Sequence, residues 1–163
     1  MDPLWAPWRM RYIMAPKPDG CIFCTKPGAD DDAANHIVWR GDSAFVMLNA
    51  YPYNNGHLLI APYAHVADLE DLPPQTVLEI MQLCQDSIRV LKSGFNPQGL
   101  NVGLNLGTAA GAGVKDHIHM HVVPRWIGDT NFMPVVADVR VIPQSLEHAY
   151  AILRDGFVSL PRS

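Results

Sequence analysis

The sequence predicts an α+β protein built on a mainly antiparallel sheet. Its strand and helix patterns come in runs: three short β-like segments, a long helix, two more strands and a final helix. The turn residues Gly41-Asp42 and Asn54-Asn55-Gly56 separate the first three β-like segments, as is typical of hairpins. An alternating βαβ order, which would indicate a parallel sheet, is absent from the sequence.

The first elements are short. Residues 1–20 are irregular and rich in Trp, Arg and Pro, and we interpret them as an arm laid over the body or over a partner subunit. A loop rich in Asp and Ala follows at 26–35. The three β-like segments are then His36–Arg40, Ala44–Leu48 and His57–Ala61.

The long helix is predicted over Pro74–Ser93. Pro73-Pro74 marks its start, and Gly94 is expected to end it. Its apolar residues recur at helical spacing, so they should form one buried face. These residues are Val77, Met81, Cys84, Ile88 and Leu91.

Strict alternation predicts the next strand, Leu100–Leu106. Its leucines and Val102 alternate with Asn101, Gly103 and Asn105, so one face should be buried. A last helix is predicted over Ser145–Arg154, with Ser145 as N-cap and Gly156 past its end.

Composition bounds the class of protein. The 163 residues include 12 Lys plus Arg and 16 Asp plus Glu, a net charge of −4, with 48% hydrophobic and 17% charged residues. These values exclude a disordered, collagenous or coiled-coil chain and suit one domain. The acidic balance argues against nucleic acid or an anionic membrane as partner, although a local pocket for a small anion remains compatible with it.

The sequence also favours a cytoplasmic location. No apolar run is long enough for a signal peptide core or a membrane-spanning helix. The cysteine count is three, an odd number that fits a reducing compartment better than a disulfide framework. We therefore expect a soluble cytoplasmic protein.

The most informative segment is the strand His117–Val123, which leads into Pro124. Alternate residues share a face of a strand, so His117, His119 and His121 should line one side. The Cα atoms of the outer two histidines should be about 13 Å apart, which makes a shared tetrahedral metal difficult. The strand geometry more easily allows an arrangement in which one end imidazole binds a metal and the middle imidazole is free for chemistry. Two alternatives are a solvated polar face and a catalytic metal centre with two histidines of the strand on one ion.

A glycine-rich loop, Gly107–Gly113, precedes the histidines. Small residues allow backbone amides to approach a phosphate closely, and successive amides can form an anion-binding nest. The loop leads into a strand and lacks the features of a dinucleotide fingerprint or a Walker A motif. Next to the histidines it is a plausible phosphate cradle; the alternative is a plain flexible turn.

Cys21 and Cys24 have zinc-knuckle spacing. A tetrahedral structural site needs two more ligands, and the sequence has no second C-x-x-C, so histidines are the candidates. They are His36, His57, His65, His117, His119, His121 and His148. A redox pair is less well supported because no βαβ pattern surrounds it, and two unliganded thiols are the remaining alternative.

These residues together resemble the histidine triad (HIT) superfamily. His117–Val123 matches its pattern His-φ-His-φ-His-φ-φ, where φ is apolar, and Cys21–Cys24 resembles its N-terminal C-x-x-C. Asn49 precedes Gly56–Pro62, which is similar to the family's Gly-His strand, and His65 lies where zinc-bearing members have a histidine. The resemblance covers most of residues 21–125.

Two further segments, Leu4–Arg9 and Pro124–Pro134, resemble the diadenosine-tetraphosphate phosphorylase-like branch of the family. On this basis we expect a single HIT domain over 1–163. It would comprise an N-terminal arm at 1–20, a triad core at 21–125 and a C-terminal extension at 126–163.

The resemblance implies a HIT-like fold with a five-stranded antiparallel sheet, one long helix and a C-terminal helix, in a homodimer. It implies that His119 attacks the α-phosphorus of a nucleotide and forms a covalent nucleotidyl-imidazole, which then passes to water or inorganic phosphate. His121 would bond phosphate oxygens or assist the leaving group, and His57 would orient the site.

The resemblance also implies the binding residues. Amides near Gly111, Gly113 and Val114 would hold the phosphate, and Asn49 would bind the ribose. Asn105 and Trp126 are the candidate contacts to the leaving moiety. A structural zinc would be held by Cys21, Cys24, His65 and His117.

One departure from the family pattern concerns the phosphate loop. Many members have a polar pair there, Gln with Ser or Thr, whereas this chain has Ala112-Gly113-Val114. Backbone amides must then supply the contacts, and the smaller loop leaves room for inorganic phosphate as acceptor.

Three functions follow as hypotheses. The leading one is cleavage of a phosphoanhydride in a dinucleoside polyphosphate such as diadenosine tetraphosphate, by phosphorolysis or hydrolysis. The second is a purine nucleoside phosphoramidase, which cleaves a P–N bond. The third is a non-catalytic nucleotide-binding zinc module.

Overall fold

The structure is a computed structural model that describes residues 20–129 and 142–161. The predicted arm at 1–19, with the motif Leu4–Arg9, lies outside the described residues, as does the end of the segment Pro124–Pro134. In the described part of the chain, no helix is both long enough and apolar enough to cross a membrane.

The predicted α+β fold with a five-stranded antiparallel sheet is confirmed. The strands lie in the order β1-β2-β3-β5-β4, and every neighbouring pair is antiparallel. They are β1 (Ile37–Arg40), β2 (Ala44–Leu48), β3 (Leu58–Pro62), β4 (Gly99–Leu104) and β5 (Met120–Arg125). The described helices are α1 (Ile22–Gly28), α2 (Pro74–Phe95) and α3 (Leu146–Ser159), with short 3₁₀ turns at Leu69–Asp71 and Thr108–Ala110.

The two faces of the sheet have different partners because alternate residues of a strand face opposite sides. On one face, Val46, Ile60 and Met120 belong to the main core, which α2 and α3 cover. On the other face, Met47 and Leu59 join a smaller core around Phe23 of α1. The second face therefore keeps room for functional side chains beside a short helix.

Helix α2 buries most of the apolar face predicted for it. Cys84 and Leu91 are buried, and Val77 and Ile88 pack against the core, whereas Met81 is 46% exposed. The fully buried positions are Thr76, Ile80, Leu83, Cys84, Ser87, Val90 and Leu91. Ser87 tolerates burial because its hydroxyl donates to the carbonyl of Leu83 at 2.7 Å.

Two glycines expected to end helices lie inside them. Helix α2 continues through Gly94 to Phe95, and α3 continues through Gly156. A Cβ on Gly94 would lie 2.7 Å from Cγ2 of Ile152, and one on Gly156 would lie 2.6 Å from Cγ1 of Val90. These glycines let α2 and α3 approach closely, and the left-handed residue that ends α2 is Asn96 (φ 47°). Ser145 is the N-cap of α3, as predicted.

Strand β4 ends at Leu104 and is an edge of the sheet. Its predicted buried face is only partly covered: Leu100 and Leu104 are half-buried, whereas Val102 is 44% exposed and Leu106 is 42% exposed. The reason is that the helices pack mainly across the other four strands. The polar alternate residues lie on the same face as the histidines, because Gly103 pairs with His121.

The hairpin turn between β1 and β2 is bound by the long helix. The Glu79 carboxylate accepts bonds from the amides of Asp42 at 2.6 Å and Ser43 at 2.7 Å, and a short bond from the Ser43 hydroxyl. Burial raises the pKa of Glu79, but the bonds from Ser43 and Asp42 outweigh it and hold that pKa below its usual value.

Candidate active site and metal centre

The histidine segment has an irregular start, which differs from the predicted strand over His117–Val123. Strand β5 begins only at Met120, so His117 and His119 precede it. The alternation nevertheless persists: Ile118 and Met120 are part of the main core, and the rings of His119 and His121 are 4.9 Å apart.

Hydrogen bonds determine the tautomer of His57. Its Nδ1 accepts from the backbone amide of Tyr53 at 3.0 Å and from the side-chain amide of Asn49 at 3.2 Å. Nδ1 therefore carries a lone pair, and the proton of the neutral ring is on Nε2. That N–H donates to Nδ1 of His121 at 2.9 Å.

The same reasoning extends to His121. Because its Nδ1 accepts, the neutral ring carries its proton on Nε2. This buried N–H has no hydrogen-bond partner among the described residues. Burial, with a smaller contribution from His119, lowers the pKa of His121 to about 4, so the ring is neutral near pH 7. It presents a donor for an oxygen that a ligand would bring.

His119 has the opposite tautomer. Its Nδ1–H donates to the backbone carbonyl of His117 at 2.9 Å, which leaves the lone pair on Nε2. Burial lowers the pKa of His119, and the bond to that carbonyl opposes the effect. A neutral imidazole held in this way is a nucleophile that needs no prior deprotonation.

The predicted zinc ligands lie together. The ligand atoms of Cys21, Cys24, His65 and His117 are all within 4.8 Å of one another. Nδ1 of His117 is 3.3 Å from Sγ of Cys21 and 3.2 Å from Nδ1 of His65, and Sγ of Cys24 is 3.3 Å from Nδ1 of His65. Ligands of a tetrahedral zinc are about 3.3–3.8 Å apart, given its usual bond lengths, so this donor set fits the ion.

The surroundings of the cluster also fit a metal. His117 donates its Nε2–H to the carbonyl of Pro62 at 2.9 Å, which directs the Nδ1 lone pair towards the cysteines. Burial and the neighbouring Cys21 raise the pKa of the Cys24 thiol, so metal binding displaces a proton from it.

Comparison with known proteins agrees with this geometry. Residues 31–126 match the family model of the HIT domain. The chain belongs to the HIT family.

Among HIT relatives, the AP-4-A phosphorylase of Mycobacterium tuberculosis is 41% identical over 166 aligned positions, which span 97% of this chain and 85% of that protein. A Zn-bound histidine triad family protein from Mycobacterium smegmatis has a similar structure, with a TM-score of 0.68 and 30% identity over 85% of this chain and 94% of that one. The diadenosine triphosphate hydrolase of Plasmodium falciparum shares the fold, with a TM-score of 0.62 and 20% identity over 77% and 76%.

The structure shows the surroundings of two residues that are predicted to contact the ligand. Asn49, the predicted ribose partner, donates to His57 and accepts the backbone amide of Tyr51 at 2.9 Å. It therefore orients His57, while its ribose contact stays a prediction. Asn105 follows Leu104, the residue of β4 that pairs with Met120, and its contact with the leaving moiety stays a prediction.

Trp126 is not brought to the histidines within the described part of the chain. It follows the far end of β5, about 20 Å from His119 by strand rise, and its indole N–H donates to the carbonyl of Asn96 at 3.3 Å. Neighbouring Arg125 pairs with Asp129 at 2.6 Å. A contact of Trp126 with the leaving moiety stays a prediction.

The predicted phosphate loop joins β4 to the histidines. Gly107 (φ 75°) and Gly111 (φ 88°) have left-handed conformations that other residues rarely adopt. Val114 packs against the smaller core, beside Phe23. Phosphate binding by the amides of Gly111, Gly113 and Val114 stays a prediction.

Sequence reasoning missed α1 and two of the residues that orient the site. Phe23 is buried in α1, with its ring 4.7 Å from that of His119. Tyr53 supplies a backbone amide to His57 and stacks on His121 at 5.6 Å. The signal for Tyr53 was its place in the turn before the Gly-His strand, but a contact through a backbone amide is independent of the side chain.

Proposed function

We propose that this HIT protein is an enzyme that cleaves dinucleoside polyphosphates at the α-phosphate through a covalent nucleotidyl-His119 intermediate. The observation that carries the proposal is the pair of opposite tautomers: a lone pair on Nε2 of His119 beside an unpartnered N–H on Nε2 of His121, among the described residues. The similarity to an AP-4-A phosphorylase supports the substrate class.

In the first step, Nε2 of His119 forms a P–N bond to the α-phosphorus. The P–O bond to the remaining nucleoside polyphosphate breaks, and its electron pair leaves with that oxygen. The His121 N–H donates to a phosphate oxygen and stabilises the charge that develops there. The Asn49–His57–His121 chain of hydrogen bonds holds that donor in place.

In the second step, inorganic phosphate or water attacks the same phosphorus. The P–N bond breaks, and its electron pair returns to Nε2 of His119. The nucleotide leaves with its new oxygen, and a water acceptor releases its proton to solvent. The loop at Gly107–Gly113 has small side chains, with nothing within 4 Å of a Cβ built on Gly107, Gly111 or Gly113. This space favours inorganic phosphate as the acceptor.

A structural zinc would be held by Cys21, Cys24, His65 and His117. When bound, it supplies a cross-link between α1 and the histidine segment. His117, one of these four residues, also accepts the Nδ1–H of His119 with its backbone carbonyl. A bound zinc would therefore help to hold the nucleophile in its orientation.

We also propose a cytoplasmic homodimer. Support for the dimer comes from the partly uncovered edge strand β4 and from exposed apolar residues on it, just after it and on α2, namely Val102, Leu106, Leu78 and Met81. The free cysteines 21, 24 and 84 fit a reducing compartment. Sedimentation at micromolar concentration tests the dimer: a single 18.0 kDa species would exclude it.

The activity is tested by incubation with diadenosine tetraphosphate, with and without inorganic phosphate. Phosphorolysis gives ADP and ATP, whereas hydrolysis gives AMP and ATP. The His119→Asn variant is expected to lose at least a thousandfold in rate. Absence of cleavage under both conditions contradicts the proposed function, and turnover of adenosine phosphoramidate alone would indicate the phosphoramidase. Equal activity of wild type and variant would exclude His119 as nucleophile.

A further inference from the structure

A row of four aromatic rings crosses the functional face of the sheet. Phe23 is 4.7 Å from His119, His119 is 4.9 Å from His121, and His121 is 5.6 Å from Tyr53. The last two rings are nearly parallel, at 13°. Phe23 ends the row in the apolar core, whereas Tyr53 ends it at the surface, with 47% of the residue exposed.

The position beside His121 on the same face is empty. Gly103 of β4 is the cross-strand partner of His121, so a side chain there would project next to the imidazole. A Cβ built on Gly103 meets no atom within 4 Å, and its backbone is not left-handed. Glycine is thus not needed for conformation or packing at this position, and what it provides is open space.

The direction in which the leaving group departs indicates a role for the ring row and for the space over Gly103. In-line attack from His119 sends the leaving group away from that residue. The next side chain along the ring row is His121, and beyond it lies Tyr53, with the space over Gly103 alongside. A leaving group that is only ammonia or sulfate needs no such surface, whereas a nucleoside polyphosphate ends in a base that stacks on aromatic rings.

We infer that Tyr53 and Gly103 form the subsite for the leaving nucleoside polyphosphate: Gly103 keeps a path open past His121, and the Tyr53 ring contacts the distal nucleoside. The inference rests on the proposed function and adds the residues that select a dinucleotide over a nucleotide with a small leaving group. Tyr53 is a specificity residue in this scheme and takes no part in proton transfer.

The test measures binding in the His119→Asn background, where the substrate stays intact. Calorimetry gives the dissociation constants of AMP, which has no distal nucleoside, and of diadenosine tetraphosphate. Tyr53→Ala is expected to weaken binding of the dinucleotide about tenfold and to leave AMP within twofold, because one stacking contact contributes about that factor. Tyr53→Phe should retain the wild-type ratio, since the ring persists.

Gly103→Val is the second variant. Its side chain suits a strand and enters open space, so the protein should fold, yet dinucleotide binding should fall while AMP binding is retained. Val158→Ala is the control: this residue of α3 is 62% exposed, belongs to a helix on the opposite side of the sheet and should leave both constants unchanged.

Equal losses for AMP and the dinucleotide would show that Tyr53 only supports the histidines, and unchanged binding of both would show that it has no role; either result overturns the inference. Failure of the proposed function looks different: the His119→Asn protein would then bind neither ligand, or the wild type would not cleave the dinucleotide.

Discussion

His121 accepts a hydrogen bond at one ring nitrogen and presents a donor at the other, and this polarity is set through His57. The amides of Tyr53 and Asn49 place the proton of His57 on Nε2, which in turn places that of His121 on Nε2. His119 has the reverse arrangement because a carbonyl receives its Nδ1–H. Hydrogen bonds to neighbouring groups thus give Nε2 a proton in one imidazole and a lone pair in the other.

The depressed pKa of His121 predicts a specific loss of stability in acid. The folded group titrates at about 4, whereas an unfolded histidine titrates near 6.5, so the unfolded chain binds more protons between these values. Unfolding free energy should therefore fall as the pH drops through this window. The share of His121 is about 1–2 kcal/mol, allowing for its partial exposure.

Urea unfolding between about pH 7 and pH 4 checks this prediction. The His121→Asn variant should lose less stability over that range than the wild type. His148→Asn, a change at an exposed histidine, should keep the wild-type slope. Parallel slopes for wild type and His121→Asn would contradict the assignment.

At the scale of elements, the β1–β2 turn depends on a side chain from α2. Replacing Glu79 by Ala leaves the amides of Asp42 and Ser43 without their acceptor, and we expect a loss of about 2 kcal/mol, the usual size for bonds to a charged group. Denaturant unfolding measures it, with Glu70→Ala, at an exposed carboxylate, as the control expected to stay within about 0.5 kcal/mol. Equal effects of the two variants would refute the role of Glu79.

The α2–α3 contact predicts an unusual response to alanine. Gly→Ala inside a helix normally stabilises by up to about 1 kcal/mol. Gly156→Ala should instead destabilise by about 1–3 kcal/mol, because its methyl would press on Val90. Gly28→Ala is the control, since a Cβ there has no neighbour within 4 Å, and it should be neutral or stabilising. Thermal unfolding distinguishes the two, and a more stable Gly156→Ala protein would show that the helices separate without cost.

For the whole molecule, the proposed metal centre and the proposed reaction site meet at His117. Cys24→Ser should reduce bound zinc well below one equivalent per chain, lower the melting temperature and reduce kcat by about ten- to a hundredfold, with a smaller effect on KM. Elemental analysis and steady-state kinetics measure these changes. Cys84→Ala is the control, because this core thiol should affect stability and leave the zinc content intact. A metal-free protein with the full wild-type kcat would show that the reaction site does not depend on the metal centre.

The predictions from sequence succeeded where one chain segment determines its own pattern. Hairpin turns and alternation indicated the fold class and the strands. They were wrong where contacts with distant segments of the chain determine the local structure. Gly94 and Gly156 resemble helix ends until the opposing helix is known, and Ser87 resembles a surface residue until its bond to Leu83 is seen.

The site residues followed the same division. The three histidines are evident as candidates from their spacing, because alternate side chains of an extended segment share one face. The orienting role of Asn49 and Tyr53 is not evident from the sequence, because their contacts with His57 form only when the turn packs against the next strand. Trp126 was grouped with the site by motif, yet strand length places it at the opposite end of β5.

The division of labour between the sheet faces has a consequence for engineering. In the segment that leads from His117 into β5, residues that support folding alternate with the histidines proposed to carry the chemistry, so the two sets can be mutated as separate libraries. Stabilising changes at core positions far from the histidines, such as Leu153 of α3, are then expected to combine additively with altered specificity at Gly103. A single inserted residue within β5 has the contrary effect, because it exchanges the two sets at once and abolishes folding and catalysis together.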